Sequence, residues 1–201
     1  MSCPQKQGAG SDDSSQLAGH ELVAISLPPS TVPELWAEIR RLCAQLHEKD
    51  AEREAHFYAP ASQNEIARLE EVLGAPIPDD LRTSLLCCNG AYSLWDALEM
   101  HSTSGIVSGL KVFDESFQLD ADLRPIGPVS TRFFGKYRIP IGSGPEGDTY
   151  CLDLMPEPGG AVGQIVYIAW ELWKIEVLTS SFVEFLHLGI GRLRQELTED
   201  A

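Results

Sequence analysis

The run Ile139-Pro-Ile-Gly-Ser-Gly-Pro-Glu-Gly-Asp-Thr-Tyr-Cys-Leu-Asp-Leu154 decides how this chain is read. A short apolar strand stops in a Gly/Pro turn, and a Gly-Asp pair opens a second strand that closes on Asp153. Gly142, Gly144, Gly147, Glu146, Asp148 and Asp153 therefore form either a ligand loop or a hairpin. Phosphate-cradling loops join a strand to a helix and often carry a Lys. Here the turn joins strand to strand, holds no Lys, and presents two carboxylates that repel phosphate. The alternating acidic and amide groups of a calcium loop are absent as well. Asp148 and Asp153 are five residues apart, so an extended strand points them to opposite faces. The stretch reads as a hairpin whose Asp side chains bond nearby backbone. Tyr150, Leu152 and Leu154 share one face, and Thr149, Cys151 and Asp153 the other.

Downstream, Pro156–Gly160 is a turn, Gly163–Trp170 an apolar central strand and Trp173–Leu178 its hairpin partner. Ser181-Phe-Val-Glu184 is a capping box that opens a helix through about Leu188, anchored by Phe182, Phe185 and Leu186. Gly189 and Gly191 weaken its continuation, and 192–201 is expected to fray.

Upstream lie three helices. The first runs from Thr31 to about Glu54, with Thr31 as N-cap and Val32, Leu35, Trp36, Ile39, Leu42, Cys43 and Leu46 as one stripe. The second spans Ser62–Leu73 between a capping box and the stop at Gly74, and the third Asp79–Cys88, ended by Asn89-Gly90. Residues 91–110 read as irregular with a helical turn near Leu94–Met100, 125–130 as loop and Phe133–Ile141 as a strand. Met1–His20 reads as a flexible polar tail, and His20–Pro29 as a short strand or arm. Helices, then strands, then one helix is an α+β layout on an antiparallel or mixed sheet, in a single domain over residues 21–201.

Composition narrows the function. The 201 residues are 43% hydrophobic, with no apolar run long enough to span a bilayer and no signal-like start, so a cytoplasmic location is expected. The net charge of −15, from 30 acidic against 15 basic residues, excludes direct nucleic-acid binding and disfavours anionic membranes. The same charge attracts basic proteins. The five cysteines lack the spacing of a zinc site, and no two of the five histidines have helical metal spacing. No metal and no cofactor is expected. A nucleophile pair of Cys87 or Cys88 with His101 has only nearness in sequence behind it. Aromatics beside acids are the stronger signal for a protein-binding surface: Trp95 with Asp96 and Glu99, and Glu171 between Trp170 and Trp173. Core or edge packing of these Trp is the plain alternative. Residues 61–110 hold seven acids against Arg68 and Arg82.

Several blocks resemble the SUKH superfamily, the Smi/Knr-type domain. They are Glu65-Ile66, Leu69-Glu70, Leu73-Gly74, Ile77-Pro78-Asp79-Asp80, Leu81, Leu85-Leu86 and Asn89-Gly90. The Ile-Pro-Ile strand, Gly147-Asp148, Leu152-Asp153, Gly163, Ile165-Val166, Ser181-Phe182 and Phe185-Leu186 follow in the family's order, and Trp36 suits its first helix. The likeness covers about 31–188, departs at Ala91 where a second Gly is usual, and is poor over 92–135. It implies an α+β domain without catalysis. Bacterial members look like immunity proteins that neutralise toxins, including nucleases; fungal members are scaffolds in cell-wall signalling. The reading that follows is an immunity protein binding a cognate, basic toxin. Its expected contacts are Trp95, Asp96, Glu99, Asp114, Glu115, Glu146, Asp148 and Glu171. A regulatory scaffold is the first alternative, though its long disordered flanks are missing. A hydrolase using Asp148 and Asp153 is the second.

Overall fold

A computed structural model describes residues 31–116, 123–131 and 135–199; the expected tail and the 20–29 arm lie outside the described residues. The chain forms one α+β domain in which helices and an eight-stranded mixed sheet share a core.

Helix α1 covers Val32–Lys49, five residues shorter than its charged tail suggested. Its capping box is formed, with Thr31 Oγ1 accepting from Glu34 N and Glu34 accepting from Thr31 N. Helix α2 (Gln63–Leu73) starts on the Ser62/Glu65 box and ends at Gly74 with φ +73°. Helix α3 (Asp79–Cys87) starts from Pro78. The indole of Trp36 donates to Ser84 Oγ at 2.8 Å and ties α1 to α3. Helix α5 spans Phe182–Glu199 and packs along α1, where Arg194 reaches Glu38 at 2.7 Å.

The sheet order is β1-β2-β3-β5-β6-β7-β8-β4, from β1 (His56–Phe57), β2 (Ala91–Tyr92), β3 (Glu99–Met100), β4 (Arg124–Ile126), β5 (Arg138–Ser143), β6 (Thr149–Asp153), β7 (Gln164–Ala169) and β8 (Lys174–Thr179). All pairings are antiparallel except β4 with β8. One face carries Ile139, Leu152 and Ile165 into the main core with α1 and α5. The other carries Cys151, Val166 and Ile168 into a smaller core with Phe113, Leu123 and Val129. Each such side chain stabilises the fold by about 1.5–3 kcal/mol on burial.

Four sequence expectations change. The second part of the 91–110 stretch is not irregular: residues 103–110 open helix α4 (Thr103–Ser116). Its two interior glycines lower its propensity, and one has a packing reason: a Cβ on Gly109 would sit 2.7 Å from Pro140 Cγ of β5. The Asn89-Gly90 pair does more than end α3. Asn89 Oδ1 accepts from Thr103 N at 2.8 Å, and a Cβ on Gly90 would lie 2.7 Å from Ser102 N. Residues 124–126 are an edge strand rather than loop, which tolerates Pro125. The strand placed at 133–141 begins at Arg138, after a 3-10 turn over Gly135–Tyr137; residues 132–134 lie outside the described residues.

The fourth change is the C-terminal helix, which runs through Gly189 and Gly191 to Glu199. A Cβ on Gly189 would stand 2.5 Å from the ring of Trp95, so that glycine makes room for the indole. Gly189→Ala is expected to destabilise by about 1–3 kcal/mol through overpacking. Gly191 meets nothing within 4 Å, so Gly191→Ala is expected to stabilise by up to about 1 kcal/mol. Urea unfolding of the two variants checks both signs.

Candidate functional site: an acidic end of the sheet

The register brings three connections to one end of the sheet. Glu99, the first residue of β3, lies opposite Ser143, the last of β5. Ser143 pairs with Thr149, the first residue of β6, and Thr149 with Ile168 near the end of β7. The loop 93–98, the turn 144–148 and the turn 170–173 therefore lie side by side. Asp96, Glu99, Glu146 and Glu171, far apart in sequence, are exposed at this end.

The turn 144–148 is built on backbone bonds from Gly144 N to Asp148 O (2.9 Å) and from Gly147 N to Gly144 O (3.1 Å). Gly147 has φ +80°, which a Cβ would strain. Asp148 is buried at 7% exposure. Its carboxylate accepts from the Tyr167 hydroxyl and, at 3.3 Å, from Trp170 N. Burial, then the Asp148 carboxylate, pushes the Tyr167 phenol well above its usual range. Trp170 donates its indole N–H to Thr149 Oγ1 at 3.0 Å. The Gly-Asp pair is thus a clasp between the two turns.

Asp153 lies on the opposite face, fully buried. It faces Arg138, also fully buried, at 3.5 Å. Gln164 Nε2 donates to its other oxygen at 3.0 Å, and Met155 N donates at 3.2 Å. Arg138 also donates to Ser130 O at 2.9 Å, which holds the 123–131 segment on the sheet. Nothing in the sequence pattern singled out Arg138, since an Arg opening a strand is ordinarily a surface residue.

The loop 93–98 is held in an uncommon shape. Ser93, Asp96 and Ala97 all have φ between +51° and +56°. Arg53, paired with Glu196 at 2.5 Å, donates to the carbonyls of Ser93 (2.5 Å) and Leu94 (2.8 Å). Trp95 is 3% exposed and packs edge-on against Phe185. Asp96 remains outside, 3.7 Å from Arg192. Between this loop and the end of α5 opens a cleft of about 450 Å³, whose acids include Glu52, Asp96, Glu196 and Glu199. Glu52, Glu196 and Glu199 carry no local motif, which is why sequence reasoning passed over them.

Trp95 and Asp148 therefore leave the set of surface contacts: one is core, the other a clasp. Asp96, Glu99, Glu146 and Glu171 share one end. Asp114 and Glu115 fall at the end of α4, and their side chains lie outside the described residues. Trp36, Phe182 and Phe185 are core. His101 bonds Pro140 O and Ser143 Oγ, with burial lowering its pKa, and burial raises the thiols of Cys87 and Cys88. Those shifts disfavour the thiolate that a Cys–His pair needs. Burial likewise pushes Cys43 up to about 11 and Cys151 up to about 12. No group of three or more His, Cys, Asp or Glu suited to a metal occurs among the described residues. No described helix is long and apolar enough to cross a membrane.

These features define a class: an α+β domain whose Gly-Asp and Leu-Asp pairs lock strand β6. The sequence pattern of the SMI1 / KNR4 family (SUKH-1) matches residues 60–187, and the chain belongs to that family. It is also similar to the "Uncharacterized protein YnaB" of Bacillus subtilis (strain 168), with 33% identity over 101 residues. That match covers 49% of this chain and 63% of the relative's length.

If Asp148 is a clasp, Asp148→Ala leaves a half-buried hydroxyl and a backbone N–H without their acceptor. A loss of about 1–3 kcal/mol is expected. Glu146→Ala, fully on the surface, is expected to stay within about 0.5 kcal/mol of wild type. Equal losses in chemical denaturation contradict the assignment.

Proposed function

We infer that this chain is an immunity protein, which binds a cognate antibacterial toxin domain and blocks it by protein–protein contact in the cytoplasm. The observation that carries the reading is the acidic sheet end: four exposed carboxylates, three on adjoining connections and Glu99 at the start of β3, in a chain with net charge −15. Of the bases there, Arg192 lies against Asp96 and Lys174 pairs with Glu176 at 2.9 Å, while the exposed Arg124 borders the turn 170–173 on its β4 side. A field of one sign steers a partner of the other sign and speeds docking. Family membership supports the same class of activity, although a shared fold does not name a partner.

Catalysis by Asp148 and Asp153 has little support. The two carboxylates point to opposite faces of the sheet and are committed to hydrogen bonds that are buried or half-buried. The scaffold reading gains no specific observation. A basic toxin, a nuclease for example, fits the charge best.

Co-expression with a toxin domain encoded beside this gene tests the proposal. Restored growth and a complex on size exclusion are expected. Continued killing with no complex, at equal expression, overturns it.

A further inference from the structure

Trp173 has no role in the fold described so far. It closes the four-residue turn between the paired Ala169 and Lys174, with its N–H donating to Trp170 O at 3.2 Å. Its φ is +47°. That left-handed position of a hairpin turn suits Gly or Asn, and a bulky side chain there is strained. Strain of this kind is normally offset by packing. Yet Trp173 is 52% exposed, and Leu172 beside it is 71% exposed. Trp170, in the same turn, behaves in the ordinary way: it bonds Thr149 and packs on the smaller core. A tip of two apolar side chains thus stands beside Glu171 and the turn that carries Glu146, with Arg124 and Lys174 on its β4 side.

We propose that Leu172 and Trp173 are the apolar anchor of the partner interface. The indole enters a pocket on a partner protein whose rim carries Lys or Arg, and Glu146 and Glu171 pair with that rim. This rests on the immunity reading and adds which residues dominate the contact. A large aromatic at the centre with charged pairs around it is the usual make-up of an interface hot spot. Charge selects the occupant: two copies of this chain meeting end to end would oppose their acidic rims, whereas a basic partner complements them.

Trp173→Gly separates the roles. Glycine relieves the positive φ, so the melting temperature is expected to hold or rise, whereas a packing Trp would lower it. Binding to a catalytically dead form of the toxin domain encoded beside this gene, followed by calorimetry, is expected to weaken at least about 30-fold. Trp173→Phe is expected to recover most of that loss. A Trp173→Gly protein that binds as tightly as wild type overturns the anchor and leaves the immunity reading standing. A lowered melting temperature overturns it too, by making Trp173 structural. A wild-type dimer that Trp173→Gly dissolves overturns it in favour of self-association. Failure of the wild-type chain to bind the toxin domain removes both the anchor and the reading beneath it.

Discussion

Strand β6 is pinned at both ends by a buried carboxylate. At its start Asp148 takes hydrogen bonds from Tyr167 and Trp170, so the turn 144–148 is tied to the turn 170–173. At its end Asp153 faces Arg138 and accepts from Gln164 and Met155, which ties β5, β7 and the 123–131 segment together. A buried carboxylate stripped of its partners is strongly destabilising, on the order of 3–5 kcal/mol for a broken ion pair. Register follows from the same constraint. A one-residue slip of β6 would move Asp153 into the main core and Leu152 out of it.

That arrangement sorts the acids of the chain. Those on β6 are spent on the fold and face inward. Those on the connections, Asp96, Glu99, Glu146 and Glu171, are held at one end of a rigid sheet and face out. The loop that presents Asp96 is fixed by Arg53 from one side and by the buried Trp95 from the other. A surface held this firmly loses little freedom on binding, which favours affinity. Exposed acids and an exposed apolar tip at one end of the sheet are the features on which the proposal of a protein partner rests.

Much of the fold was legible because its signals are local. Two of the capping boxes read from sequence are formed in full and the third in half, since Ser181 Oγ accepts from Glu184 N but the Glu184 carboxylate accepts from Ser180, and the alternation of Tyr150 and Leu152 against Cys151 and Asp153 matches the two cores. The opposite facing of Asp148 and Asp153 follows from strand parity alone. What escaped depends on partners distant in sequence. Gly189 reads as a weak point of its helix and Gly109 falls in a stretch read as irregular, yet each clears space for a ring from elsewhere, Trp95 and Pro140. Strands β1, β2 and β3 have two residues each, too short for any period to register. Arg138 looks like a surface residue until Asp153 is placed opposite it. Acids beside aromatics drew attention to connections that the sheet brings to one end, but not to which aromatic was core. Trp95 is buried, and Trp173 is not.

Hydrogen–deuterium exchange on the chain, alone and mixed with the toxin domain proposed as its partner, tests the contact directly. Slower exchange confined to residues 93–99, 144–149 and 170–174 is the predicted result. Unchanged exchange there, with new protection on the α2–α4 side or at the β4 edge, would contradict the account.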